Sequence, residues 1–227
     1  MRTKTGILLT LGLIVLLQIF IIYLLAFPMD PSSLNLDFGR NDLLIIGEKM
    51  PDFSELAFVD GNITEFSSED IVSNWTIIFF YPADFSHVCP TELAELAERY
   101  DEIRDLGSEV ITISTDTAEM HEEWVNSTPM LSGIKYPMLS DPDKDVSRKF
   151  GVLSDKTGLA MRSTFIFNPE KEVIAMEINE DNVGRSIAET IRTLEAAQLT
   201  YDLEGTMCPA EWNPGDEIIN ISGDNTQ

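Results

Sequence analysis

From residue 75 onward, unbroken apolar runs alternate with stretches whose apolar positions recur every three or four residues. WTIIFFY (75–81) is β-branched and aromatic and apolar nearly throughout, the pattern of a strand covered on both faces. After Pro90, Leu93, Leu96, Ala97, Tyr100 and Ile103 trace one helical stripe, Glu92, Glu95, Glu98 and Asp101 fall off it, and Gly107 marks the end. EVITIST (109–115) reads as the next strand, 117–126 as a helix, and 143–152 as a short helix stopping at Gly151. STFIFN (163–168) and EVIAMEI (172–178) read as strands joined through Pro-Glu-Lys. Ser186 is placed to cap a last helix with Ile187, Ile191 and Leu194 inward. Upstream, LAFVDGNITEF holds an Asp-Gly turn between two apolar-rich arms, a hairpin signal. Strand, helix, strand, then a hairpin and a helix describe a compact α/β domain over residues 47–200.

The N-terminus has a different pattern. Residues 6–27 carry no charge and a single Gln, and about 20 apolar residues suffice to cross a bilayer as a helix. Arg2 and Lys4 precede this run and Asp30 and Asp37 follow, so the positive-inside bias places residues 1–5 in the cytoplasm and the domain outside. The alternative, a cleaved signal releasing a secreted protein, calls for a shorter apolar region and a small-residue cleavage site, and LLAFPMD offers none. Residues 28–46 read as a linker, and 201–227 as a C-terminal segment ending in a polar tail.

Composition narrows the partners. With 39 acidic and 15 basic residues among 227, the formal net charge is −24, which disfavours nucleic acid and anionic headgroups as ligands. Two cysteines allow one pair, structural or reactive. The two histidines, His87 and His121, lie far apart in sequence and no Cys/His spacing suits zinc, so neither a metal nor a cofactor is expected. Asn62, Asn74, Asn126 and Asn220 sit in Asn-x-Ser/Thr triplets, which matter only in a glycosylating, extracytoplasmic setting.

The stretch FFYPADFSHVCPTEL (79–93) asks for chemistry. Proline favours the first helical positions, so Pro90 places Cys89 at or beside an N-cap. Unpaired N–H donors and the positive end of the helix dipole favour thiolate over thiol there. The alternative, a buried cysteine acting as a small hydrophobe, accounts for neither Pro82 nor Ser86 nearby.

This segment closely resembles the active-site segment of peroxiredoxins, in the typical two-cysteine, alkyl hydroperoxide reductase C-like branch. The pattern proline, three residues, Thr or Ser, two residues, cysteine is met by Pro82, Ser86 and Cys89. STDTAEMHEEW, MRSTFIFNPE, NVGRSIAETIRTLEAAQ and MCPAEWNPG resemble further family segments in the same order, across about residues 45–220. The resemblance implies a thioredoxin-like fold and a peroxidase without a cofactor. It implies that Cys89 is the peroxidatic cysteine, Arg162 the active-site arginine, and Cys208 the resolving cysteine, which acts from a partner subunit. Ser86 and Pro82 would complete the pocket, with Glu92 pairing an arginine and Arg185 in support. It further implies a homodimer, in some members a ring of five dimers, and a thioredoxin-like or other thiol reductant.

Two departures stand out. The Gly-Gly-Leu-Gly insertion and C-terminal Tyr-Phe of oxidation-sensitive members are absent, which predicts resistance of Cys89 to over-oxidation. The apolar N-terminus is unusual for the branch and would place the site beyond the reach of cytoplasmic thioredoxin. Two other readings remain at this stage. One is a static Cys89–Cys208 disulfide; the other is a non-enzymatic redox sensor or holdase-like protein on the same fold.

Overall fold

The computed structural model describes residues 43–72 and 75–221. The apolar run 6–27, Asn74 and the last six residues lie outside them. Among the described residues no helix is long and apolar enough to cross a membrane.

Strands β1 (Ser54–Val59) and β2 (Asn62–Ser67) form the expected hairpin. Its turn residues Asp60 and Gly61 both take positive φ, 48° and 77°, the conformation whose twist matches that of the paired strands. Then follow β3 (Trp75–Phe80), α1 (Cys89–Glu98), α2 (Tyr100–Asp105), β4 (Ser108–Ser114), α3 (Ala118–Ser127), β5 (Met138–Ser140) and α4 (Asp145–Lys149). Strands β6 (Arg162–Phe167) and β7 (Val173–Asn179) precede the long α5 (Ile187–Asp202), and β8 (Thr206–Met207) pairs with β9 (Ile219–Asn220) in a small hairpin. The main sheet has seven strands in the order β2-β1-β5-β4-β3-β6-β7 among the described residues. Its centre, β3, β4 and β5, is parallel, and both flanks are antiparallel.

All six residues of β3 are buried, which explains the unbroken apolar run. Successive side chains leave the sheet on opposite faces. Ile77 and Phe79 join Leu93, Leu96, Ile191 and Leu194 on one face, whereas Ile78 and Phe80 join Val146, Phe150, Phe165 and Phe167 on the other. The Ser186 cap and the glycine stops fall where expected, and Thr117 adds a cap that the pattern did not single out. Ser186 Oγ accepts from the Glu189 N–H at 3.2 Å, Thr117 Oγ1 from the Met120 N–H at 3.3 Å, and Gly107 and Gly151 end their helices at φ 69° and 68°.

Three expectations are corrected, the helix after Pro90, the C-terminal tail and the helix 143–152, and one strand is added. The stripe after Pro90 is two helices, because Arg99 leaves helical geometry at φ −102°, ψ 8°. The first half packs on the 129–131 turn and the second on β4, so one straight axis cannot serve both. Strand β5 has three residues, too few to show a period, yet it joins the hairpin β1–β2 to the parallel core. The segment GDEIINISGDNTQ is not wholly a polar tail, since Ile219 and Asn220 pair with Met207 and Thr206, a partner that no local period reveals. Elsewhere the expected helix 143–152 spans only Asp145–Lys149.

Candidate active site

Sheet register assembles the site. In the antiparallel pair β3/β6, Phe80 faces Ser163, so Arg162, one residue earlier, stands beside the C-terminal end of β3. The chain leaving that end runs through Pro82 and Ser86 into α1, whose first residue is Cys89. The N-cap is Val88, which makes no side-chain capping bond, and Pro90 occupies the first turn. Two sites 73 residues apart in sequence thereby meet, and both Arg162 guanidinium nitrogens Nη1 and Nη2 lie 3.6 Å from Cys89 Sγ. Cys89 is fully enclosed and Arg162 is 2% exposed.

Two ionic side chains, Glu92 and Arg185, brace this contact. Glu92, one turn into α1, pairs with Arg162 through its Oε2. Its Oε1 accepts from the Arg185 backbone N–H at 2.7 Å and from Arg185 Nε at 3.1 Å, and Arg185 Nη2 donates to Oε2 at 3.1 Å. Arg185 Nη1 reaches the Ser163 carbonyl at 2.8 Å, and its guanidinium carbon lies 3.3 Å from the centroid of the Phe79 ring. Burial pushes the Arg185 guanidinium below its ordinary value, and the Glu92 hydrogen bonds and charge work against that. The far side of Arg162 is held by the Asp181 carbonyl, which accepts from Nη2 at 2.8 Å just after β7. A charged fork so restrained is fixed before any ligand arrives.

Pro82 is buried at the end of β3 and Ser86 is half-buried. Two enclosed polar atoms of this group have no protein partner, Ser86 Oγ and Arg162 Nε. Unmet donors in a dry site favour a small polar ligand that can satisfy them. A groove of about 240 Å³ lined by Thr164, Ile166, Met176, Glu177 and Thr193 holds none of these groups, and a two-oxygen substrate needs no such volume.

Sequence reasoning missed the second support of this loop. Tyr81 Oη donates to Asp84 Oδ1 at 2.8 Å, and His121 Nδ1 lies 2.8 Å from Asp84 Oδ2. His121 Nε2 lies 3.3 Å from the Leu139 carbonyl, and the Asp84 N–H donates to Asp116 Oδ2 at 2.8 Å. Burial raises the Asp84 carboxyl above its ordinary value, with His121 opposing. Between Pro82 and Ser86, Phe85 takes a left-handed φ of 54°, which a non-glycine residue adopts at a cost of order 1 kcal/mol or more. The clue was in view, since Asp84 and His121 lie in the quoted segments, but only the loop that follows β3 meeting α3 brings them together.

Cys208 is elsewhere, half-buried after β8, with Sγ 3.8 Å from the Ala196 carbonyl on α5. Both cysteines are free thiols, so the static disulfide is set aside. His87 is exposed and belongs to no metal-ligating cluster among the described residues.

Residues 46–176 match the family model described as AhpC/TSA. The chain belongs to the AhpC/TSA family. It is 41% identical over 180 residues to the alkyl hydroperoxide reductase C of Bacillus subtilis, an alignment that covers 79% of this chain and 96% of that one. The AhpC crystal structure from Enterococcus faecalis superposes with a TM-score of 0.71 at 42% identity, covering 74% of this chain and all of that one. The reduced 2-Cys peroxiredoxin of Plasmodium vivax superposes with a TM-score of 0.72 at 27% identity, over 76% of this chain and 91% of that one. The mixed sheet is accordingly the thioredoxin-like fold of this family.

Proposed function

We propose that this protein is a thiol-dependent peroxidase acting on hydrogen peroxide and organic hydroperoxides. The observation that carries the reading is the Arg162 fork, both of whose nitrogens face Cys89 Sγ at 3.6 Å at the first turn of α1. The Cys89 thiolate attacks one peroxide oxygen, the O–O bond breaks, and the second oxygen leaves with a proton as water or alcohol. Arg162 stabilises charge on sulfur and on the peroxide oxygens. The Ser86 hydroxyl, unpartnered in the resting protein, orients the peroxide, and Pro82 shields the sulfur. Glu92 and Arg185 hold Arg162 in place. The resulting sulfenic acid condenses with Cys208 of a partner subunit, and a thioredoxin-like or other thiol reductant opens the disulfide. A homodimer is the minimal unit for this chemistry, and a ring of five dimers is the larger assembly to look for.

Residues 6–27, charge-free and long enough to span, tether the domain to a membrane with residues 1–5 in the cytoplasm and the site outside. Nucleic acid is not a partner of so acidic a chain.

The experiment follows loss of hydrogen peroxide with dithiothreitol as reductant. Catalytic turnover that disappears in Cys89→Ser supports the peroxidase, while stoichiometric thiol oxidation without turnover would mark a redox sensor instead. In Cys208→Ser, sulfenic acid should form once and the subunit-linking band on a non-reducing gel should vanish.

A further inference from the structure

The second sulfur has its own arginine. On α5, Glu189, Arg192 and Ala196 are spaced three and four apart and share one helix face. Glu189 grips Arg192 with two hydrogen bonds of 2.7 Å, through Nε and Nη2. That leaves Nη1, which donates to the Trp212 carbonyl at 2.8 Å. Trp212 is 4% exposed, the deepest anchor of the segment after Cys208. Its ring N–H reaches the Asp216 carbonyl at 3.3 Å and its own N–H the Pro209 carbonyl at 3.2 Å, so residues 209–216 move as one unit. Cys208, four residues before Trp212, rests on the Ala196 carbonyl one turn beyond Arg192, within electrostatic reach of that guanidinium.

In this state neither sulfur is available to the other. Cys89 is fully enclosed, and Cys208 is half-buried against α5. A disulfide needs the two Cβ atoms about 3.8 Å apart. Cys208 Sγ, turned onto the Ala196 carbonyl, must therefore give up that contact with α5 before it can bond. Among the described residues the attachment of its segment to α5 includes the buried Trp212, the hydrogen bond from Arg192 and the Cys208 sulfur contact.

We propose that Arg192 is a positioning residue for Cys208: braced by Glu189 and donating to the Trp212 carbonyl, it latches the 206–220 segment to α5 and limits how fast Cys208 reaches the oxidised Cys89. This rests on the reading of Cys208 as the resolving thiol. In that step the Cys208 sulfur attacks the Cys89 sulfenic sulfur, the S–S bond forms, the S–O bond breaks, and hydroxide leaves with the thiol proton as water. The peroxide consumed earlier is the only oxidant required. While the latch is closed, a second peroxide competes for the sulfenic acid and takes it to sulfinic acid, so the latch sets the partition between disulfide and over-oxidation.

The test uses the full 227-residue chain, reduced and exposed to a fixed excess of hydrogen peroxide, with the ratio of disulfide to sulfinic acid at Cys89 read by mass spectrometry. Arg192→Met should raise that ratio by about five-fold, the effect of losing one charge-assisted but partly solvated hydrogen bond. Arg192→Lys keeps a donor but loses the fork on Glu189 and should fall between. Glu189→Gln, which removes the brace alone, should move the same way by less. A merely structural role would lower the denaturation midpoint and leave the ratio unchanged. An unchanged or lower ratio in Arg192→Met and Glu189→Gln overturns the latch, and the second variant decides the matter if the first does not fold. Cys208→Ser separates the two readings. Should it still form the subunit-linking disulfide, the resolving assignment fails and takes the latch with it. Should that bond vanish while the Arg192 variants behave as wild type, only the latch fails.

Discussion

The two sulfurs of this chain occupy opposite kinds of surroundings. Cys89 sits in a dry junction where β3, β6 and α1 meet, and every charged group around it is held by another: Arg162 by Glu92 and the Asp181 carbonyl, Glu92 by Arg185, Arg185 by the Ser163 carbonyl and the Phe79 ring. Cys208 sits on a two-residue hairpin that touches the body along α5 through a tryptophan, an arginine and one sulfur contact. The first site needs geometry fixed in advance, because stabilising charge in a transition state works only if the donors do not have to reorganise. On the proposed role of Cys208 the second needs mobility, because a thiol that must travel cannot be cemented in place. Both use an arginine–glutamate pair. Burial separates them: the first pair is 2% exposed on both sides, whereas Arg192 and Glu189 are 26% and 56% exposed, where water screens the charges.

Three experiments press on this contrast. The largest effect belongs to Glu92→Gln. It leaves two buried guanidiniums short of their counter-charge and should cost about 3–5 kcal/mol of global stability, read from the denaturation midpoint, along with peroxidase activity. A loss below about 1 kcal/mol, the scale of an exposed pair, would show that the Cys89 junction is no more tightly held than the surface. Next comes Trp212→Ala. Hydrogen exchange should show residues 205–221 losing protection while the sheet keeps its own, with the global midpoint moving by less than about 1 kcal/mol. A fall as large as that for Glu92→Gln would mean the hairpin is integral to the core, and the comparison would break.

The smallest effect is on pH dependence. Burial raises the Asp84 and Asp141 carboxyls in the folded chain. A carboxyl raised in this way binds its proton more tightly folded than unfolded. Its contribution to stability is therefore fully present below the ordinary carboxylate value and is lost as pH rises through the raised folded-state value. Between those two values the wild type should gain stability on acidification, and Asp84→Asn should flatten that slope. An Asp84→Asn chain with the wild-type slope would show that this carboxyl is not penalised by burial. Because Asp84 serves the Cys89 loop and Asp141 does not, the change in slope on Asp84→Asn, rather than the wild-type slope itself, reports on the first region.

Much of this was legible along the chain. The β3 run, the Asp60-Gly61 turn, the Ser186 cap and the glycine stops are local effects of sterics and hydrogen bonding, so they read correctly without a partner. The helix start at Pro90 was equally plain. What escaped depended on a neighbour distant in sequence: the break at Arg99, set by two packing partners; β5, too short for any period; and Ile219–Asn220, whose mates lie across a turn. The Asp84–His121–Tyr81 support escaped for the same reason, although each residue stood in a segment already singled out.

Residue order alone determined most of the strands and helices, the helix start beside Cys89 and the family it belongs to, because propensity, capping and motif spacing act over a few residues. Only the tertiary structure decided that Arg162 would stand 3.6 Å from that sulfur, that Glu92 would answer two arginines, and that Arg192 would hold the chain beyond Cys208. Those contacts join positions up to 93 residues apart, and strand register and helix packing, which no local pattern encodes, are what bring them within hydrogen-bonding reach.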